Sequence, residues 1–282
     1  MRMSQHVSGS RISVLFGIAG IILVLALLPA AVSAEGKSIT ISGSTTVLPV
    51  ASAAAEAYMA KHPDVDVKVS GGGSGAGISA IGKKTVDIGM SSRELNKDEK
   101  ATYSKLVVTP IAKDGIAIIV NPANKIESLT LSQVKDIYSG KDKSWKDVGG
   151  EQQEFEIVGR DSASGTREFF FNEVMKKADF TPFMLEKNSN GAVQQLVSQT
   201  PNAIGYVGMG FEEGVKVLNL NVDGKMLKPT PATVKSKEYP LSRELYFITN
   251  DAPSGAAKDF IDFLLSAEGQ KIVESNGFVA MN

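Results

Sequence analysis

Three short stretches of this sequence share one chemical design. Ser42-Gly43-Ser44-Thr45-Thr46 precedes a helical pattern that begins at Val47. Ser70-Gly71-Gly72-Gly73-Ser74-Gly75-Ala76-Gly77 forms a second, glycine-rich stretch. Arg160-Asp161-Ser162-Ala163-Ser164-Gly165-Thr166 leads into a third helical pattern from Arg167. The first turn of a helix leaves backbone N–H groups unpaired, and the helix dipole adds partial positive charge there. Together these make an anion site. Serine and threonine hydroxyls add donors, and glycine lets the backbone approach without a Cβ in the way. Arg160 adds a full charge on a planar fork that matches oxyanion oxygens. A desolvated anion is costly unless its oxygens are hydrogen-bonded, so several converging segments are needed. One such turn alone is an ordinary helix cap. Three of them, one with an arginine, point to a shared oxyanion.

Catalytic patterns are weak by comparison. His6 and His62 are the only histidines. His6 lies in the N-terminal segment, and His62 reads as a helix C-terminal cap beside Pro63. No G-x-S-x-G elbow surrounds Ser74 or Ser164. No H-E-x-x-H or paired-histidine spacing occurs, and there is no cysteine for thiolate chemistry or disulfides. Gly75-Ala76-Gly77-Ile78-Ser79-Ala80 mimics a dinucleotide fingerprint, but the next strand starts by Val86, which leaves only a short crossover helix. No Gly-Lys-Ser/Thr follows the glycines, so no Walker A loop is present. Trp145 and Phe169-Phe170-Phe171 read as packing residues. These features imply binding without metal, cofactor or catalysis.

The elements that must hold the three turns alternate. Ser38–Ser42 reads as a strand, and Val47, Val50, Ala51, Ala54 and Tyr58 recur at helical spacing. Val65–Val69 is a strand, Gly71–Gly77 a loop, Ile78–Lys84 a short helix and Val86–Met90 a strand. This β-α-β-α-β order implies a parallel sheet covered by helices. Ile111 and Ile116–Val120 give a further strand. Thr130-Leu131-Ser132-Gln133 is a capping box before the apolar face of Val134, Ile137 and Tyr138. Phe155–Val158, Ala203–Val207 and Leu245–Thr249 read as strands. Phe169–Met175, Val193–Val197, Phe260–Leu265 and Lys271–Val273 read as helices. No linker divides the chain, so two lobes would be joined by ordered strands near Lys113–Val120 and Arg243–Thr249.

The chain has 282 residues, 43% hydrophobic and 22% charged, enough for two modest α/β lobes with a real core. Arg2 and Arg11 precede an uncharged apolar run from Ile12 to Val32, and Val32-Ser33-Ala34 closes it with small residues. Residues 1–34 therefore read as a signal peptide cut after Ala34, or, given the length of the run, as an N-terminal membrane anchor. Either reading puts the remainder outside the cytoplasm: periplasmic, secreted or anchored on the outer face. Those 34 residues carry two of the 30 basic residues and none of the 31 acidic ones, so the remainder has a net charge of −3. A nucleic-acid binder needs a basic excess, which is absent. Anion binding must come from a local cluster.

At these residues the chain resembles the phosphate-binding proteins of high-affinity phosphate ABC importers. The resemblance runs from about Ser38 to Asn282. Its landmarks are Gly43-Ser44-Thr45-Thr46-Val47-Leu48-Pro49, Gly73-Ser74-Gly75, and Val86-Asp87-Ile88-Gly89-Met90-Ser91-Ser92-Arg93. Ile137-Tyr138-Ser139-Gly140-Lys141 with Trp145, Arg160 with Ser164-Gly165-Thr166, and Ala203-Ile204-Gly205-Tyr206-Val207-Gly208 complete them. The resemblance implies an α/β periplasmic-binding-protein type II fold, with two α/β lobes, a cleft and two hinge crossings. Residues 35–116 with 246–282 would form one lobe and 117–245 the other. It implies a monomer that captures inorganic phosphate and delivers it to ABC transporter permease subunits. Ser44, Thr45 and Thr46 resemble the first-loop ligands, Ser74 the glycine-loop donor, Arg160 the ion-pairing arginine, and Ser164, Gly165 and Thr166 the helix-start ligands. Many family members carry an aspartate where Ser92 stands, which accepts a hydrogen bond from a protonated phosphate oxygen. Serine can donate as well as accept, which leaves sulfate and molybdate open as alternative ligands. Arg93 either adds charge to the site or pairs with a carboxylate such as Glu94. A phosphatase of the same fold using Ser164 or Thr166 is a further alternative, for which no general base is evident.

Overall fold

The computed structural model describes residues 37–281. The expected signal peptide or anchor lies outside the described residues. Among the described residues no helix is long and apolar enough to cross a membrane.

The chain begins as alternating strands and helices. β1 (Lys37–Gly43) pairs in parallel with β2 (Val65–Ser70) on one side and β3 (Ile88–Ser91) on the other. α1 (Leu48–Lys61) and α2 (Ser74–Gly82) make the crossovers, and α3 (Lys97–Thr102) follows β3. α2 starts at Ser74, four residues before the expected helix, so its glycines are helical rather than loop. Gly77 explains why. A Cβ there would stand 2.7 Å from Gly43 Cα and 2.7 Å from the Ser42 carbonyl oxygen. The helix needs glycine to lie against β1, and that demand overrides glycine's poor helix propensity.

β4 (Leu106–Val120) is the expected strand through Ile111 and Ile116–Val120, begun earlier, at Leu106. Its first part pairs antiparallel with β12 (Ser242–Asn250), and its last part with β8 (Ala203–Gly208). Pro110 sits in it, where the β12 register slips between Leu245 and Tyr246. Proline has no N–H to give a ladder, so an irregularity there is the tolerated solution. β5 (Ser128–Leu129) and α4 (Leu131–Tyr138) come next, the helix starting on the expected Thr130–Gln133 box. β6 (Glu156–Arg160), α5 (Gly165–Glu173), β7 (Leu185–Lys187) and α6 (Asn190–Gln199) lead into β8. β9 (Lys216–Val217) joins the end of β4. β10 (Asn219–Val222) and β11 (Lys225–Leu227) pair with β5 in a small separate sheet. α7 (Pro231–Lys235) precedes β12, and α8 (Gly255–Leu265) and α9 (Ala267–Ser275) end the described chain.

The main sheet has the order β2-β1-β3-β12-β4-β8-β6-β7, with β9 beside β4. β4 lies between β12 and β8 in this sheet. Packing fixes the strand ends that matter. Phe170 stacks on Tyr206 at 4.1 Å, and Tyr138 meets Phe170 edge-on at 4.8 Å. Tyr138 donates its hydroxyl to the Val158 carbonyl, and Tyr206 Oη accepts from Arg160 N–H. This buried aromatic block pins the end of β6, where Arg160 emerges. Trp145 is buried against Phe155 and donates to the Asn202 carbonyl, so it packs as expected. His62 caps α1 through its backbone N–H and stacks on Tyr58.

Candidate functional site

The three turns meet. Gly75 N–H donates to the Ala163 carbonyl at 3.0 Å, joining the start of α2 to the turn before α5. A Cβ at Gly165 would stand 2.3 Å from Ser74 Oγ and 2.9 Å from Ser92 Oγ. Thr46 Oγ1 lies 3.1 Å from Thr166 Oγ1, and Arg160 Nη2 donates to Thr45 Oγ1 at 3.1 Å. Ser74 Oγ accepts from Ser92 N–H at 3.0 Å. Ser44, Thr45, Thr46, Ser74, Ser92, Arg160, Ser164, Gly165 and Thr166 are all buried. Residues 120 positions apart thus share one polar cluster inside the fold.

Local chemistry holds each piece. Ser44 Oγ accepts from Thr46 N–H and Val47 N–H at the entry to α1. Ser164 caps α5 by accepting from Arg167 N–H. The Ser164 bond is an ordinary cap, and the Ser44 bonds close the turn before α1. Arg160 is different. It is only 1% exposed, and among the described residues no carboxylate lies within ion-pair distance of it. Its Nε donates to the Lys187 carbonyl and its Nη2 to the Asn188 carbonyl, which fix its direction without neutralising it. Burial pulls its guanidinium down to about 10, and only weaker electrostatic effects from Tyr206 and Asp161 oppose this. A buried cation lacking a counter-charge, among hydroxyls and helix starts, is built to receive an anion.

Residues 28–268 match the model of the PBP superfamily domain. The phosphate-binding protein PstS of Bacillus subtilis is 36% identical, over 88% of this chain and 83% of that protein. PstS of Borreliella burgdorferi is 33% identical, over 87% of this chain and 90% of its own. The chain belongs to the PstS phosphate-binding protein family. Among solved structures, a putative phosphate ABC transporter substrate-binding protein with bound phosphate from Clostridium perfringens superposes with a TM-score of 0.82. It is 38% identical, over 87% of this chain and all of that one.

In this PstS family member the sequence missed three site residues. Asn190, at the start of α6 and fully buried, donates from Nδ2 to Thr45 Oγ1 at 3.2 Å and Thr46 Oγ1 at 3.0 Å. Its sequence context, Ser189-Asn190-Gly191, reads only as a cap. Asp114 on β4 and Arg243 on β12 face each other across the strands and form a buried ion pair at 2.7 Å. Arg243 Nη2 also donates to Thr166 Oγ1 at 3.0 Å. Asp114 Oδ1 accepts from Met209 N–H. Burial pushes the Asp114 carboxyl up and the Arg243 guanidinium down, and each opposes the other's shift. A usable sequence signal existed: Lys113-Asp114-Gly115 interrupts an otherwise apolar strand.

Arg93 is brought beside the cluster, since it follows Ser92, but its charge is matched elsewhere. Nη1 and Nη2 each donate to Glu99 at 2.7 Å, and Nε lies 2.5 Å from Glu168 on α5. Glu94 supplies only its carbonyl. The carboxylates Glu99 and Glu168 thus take the role the sequence offered to Glu94. A groove of about 690 Å³ adjoins rather than contains the hydroxyl cluster, with Arg93, Glu168, Phe169 and Arg243 among its walls. Thr45, Thr46, Ser74, Arg160, Ser164 and Thr166 are not among this groove's walls.

Glu212 lies near the Asp114 pair. Its Oε1 is buried without a hydrogen bond. Burial first, then the nearby Asp114 charge, pushes its carboxyl up to about 7. A carboxyl raised on folding stabilises fully below its ordinary range and loses that contribution as pH rises through 7. Glu212→Gln is therefore expected to raise Tm at pH 8 by roughly 2–4 °C, for about 1 kcal/mol after solvent screening of this partly exposed group. At pH 4.5 Tm should be unchanged. Thermal melts across that range check it, and an equal gain at both pH values would remove the electrostatic cause.

Proposed function

We propose that this chain is an extracytoplasmic solute-binding protein that captures inorganic phosphate among Ser44, Thr45, Thr46, Ser74, Ser92, Arg160, Ser164, Gly165 and Thr166, and hands it to the permease subunits of an ABC importer. Membership of the PstS family supports the transport role. The observation that carries the ligand assignment is Arg160, a buried guanidinium with no carboxylate partner among the described residues. A phosphate would supply the missing charge and accept from the surrounding donors.

Residues 35–116 with 246–282 would act as one lobe and 117–245 as the other. The contacts Thr46–Thr166, Gly75–Ala163 and Arg93–Glu168 would then span the lobes and describe their closed arrangement. Closure around a ligand is the form a permease would recognise. Binding without turnover is favoured by the partners of the two candidate nucleophiles. Ser164 Oγ accepts from Arg167 N–H, and Thr166 Oγ1 meets Arg243 and Thr46. No histidine or carboxylate bonds either hydroxyl among the described residues, so no general base is in reach.

Titration calorimetry with phosphate, sulfate and molybdate tests the reading, alongside a phosphomonoester turnover assay. Saturable 1:1 phosphate binding with no turnover is expected. A protein that binds molybdate or sulfate but not phosphate would overturn the ligand assignment, and steady turnover would overturn the binding-only role.

A further inference from the structure

The donors around the cluster have an unusual sameness. Arginine N–H, asparagine NH₂ and backbone N–H groups can only donate. Asn190 has its orientation fixed by Gly208 N–H, which donates to Oδ1 at 3.2 Å and so turns Nδ2 towards the threonines. Thr45 Oγ1 then accepts from Arg160 and from Asn190, which uses both its lone pairs. Thr46 Oγ1 accepts from Asn190 at 3.0 Å and faces Arg243 Nη2 at a longer 3.5 Å, so its own proton goes to Thr166. Thr166 Oγ1 receives that proton and a bond from Arg243. Ser44 Oγ accepts from two backbone N–H groups. Three hydroxyls are left with a proton and no free lone pair: Ser44, Thr45 and Thr166.

We propose that Asn190 and Arg243 are specificity-determining positioning residues: by filling the lone pairs of Thr45, Thr46 and Thr166 they fix these hydroxyls as donors, so the site accepts oxyanions through their unprotonated oxygens. The Ser74–Ser92 pair is the exception. Ser74 Oγ accepts one backbone N–H and shares a 3.3 Å contact with Ser92 Oγ, which leaves acceptor capacity for one ligand proton. A monohydrogen oxyanion fits with its proton at that corner, and a fully ionised one such as sulfate fits the remainder. A dihydrogen anion has one proton too many. The inference rests on the oxyanion site proposed above and adds how that site counts protons.

Asn190→Asp reverses the polarity. A carboxylate at 190 accepts from Thr45 and Thr46; Thr166 then gives its proton to Thr46, so lone pairs of Thr45 and Thr166 face the ligand. Calorimetry at pH 6, with phosphate and sulfate in turn, is the test. Both anions should bind more weakly, sulfate by roughly 100-fold or more because two charge-assisted donors are lost. Phosphate, which brings protons to the exposed lone pairs, should lose less, so the phosphate-to-sulfate ratio should rise about tenfold over the native protein. Asn190→Ala, the milder change, should skew the ratio the same way by a few-fold, and it carries the test if the aspartate variant does not fold. Equal losses for both anions would mean Asn190 only supports packing, and unchanged binding would mean the hydroxyls are not held by it. Either result overturns the inference. Failure of the native protein to bind any oxyanion would instead overturn the site itself.

Discussion

Arg160→Ala is expected to weaken phosphate binding by about 2–5 kcal/mol, or roughly 30- to 5,000-fold. The size follows from burial. An anion in this cluster has Arg160 as its one cation without a carboxylate partner among the described residues, and water is excluded from the surrounding hydroxyls. Removing the guanidinium leaves the anion desolvated and under-compensated. Arg160→Lys should recover only part of the loss. A lysine ammonium cannot bond Lys187, Asn188 and Thr45 as the fork does while still facing a ligand. Calorimetry on the two variants measures both effects. Unchanged affinity in Arg160→Ala would remove Arg160 from the site.

Asp114→Asn should destabilise the protein by about 3–5 kcal/mol. The pair it breaks is fully buried, where β4 and β12 lie side by side with Asp114 opposite Arg243. The asparagine keeps the shape but leaves Arg243 charged and uncompensated, with Nη1 already lacking a hydrogen bond. A loss of that size lowers Tm by roughly 6–20 °C in a chain of this length. Two further results separate charge from shape. Asp114→Asn with Arg243→Met should be more stable than Asp114→Asn alone, because the orphaned cation is gone. Phosphate should raise the Tm of Asp114→Asn more than that of the native protein, since the proposed anion site includes Thr166, which Arg243 touches. Additive losses in the double variant would mean that the pair does not act through charge.

These effects show where the sequence was readable. The three turns and Arg160 were legible because glycine, hydroxyl and arginine at a strand-to-helix junction have few other uses in combination. The alternating start of the fold was legible from its period. Asn190, Asp114 and Arg243 were not, for a physical reason. Each reaches the hydroxyls or its ion-pair partner across more than 70 positions, and in its own neighbourhood looks like a cap or a strand charge, Asp114 alone standing out by interrupting an apolar strand. Arg243 sits in Ser242-Arg243-Glu244, an alternation that normally faces water. Yet both charged residues fall at or beside the two stretches read as crossings. The start of α2 was misplaced because glycine is usually a breaker, and only the close approach of Gly77 to β1 makes it a helix residue. Short strands such as β5, β7 and β9 carry two or three residues, too few for any periodicity to register.

The sharpest test is a crystal structure grown with phosphate. The expected result is one tetrahedral anion within hydrogen-bonding distance of the Arg160 guanidinium, the Thr45 and Thr166 hydroxyls and the backbone N–H groups that start α1, α2 and α5. Phosphate bound at full occupancy anywhere else, with Arg160 left uncontacted, would contradict it.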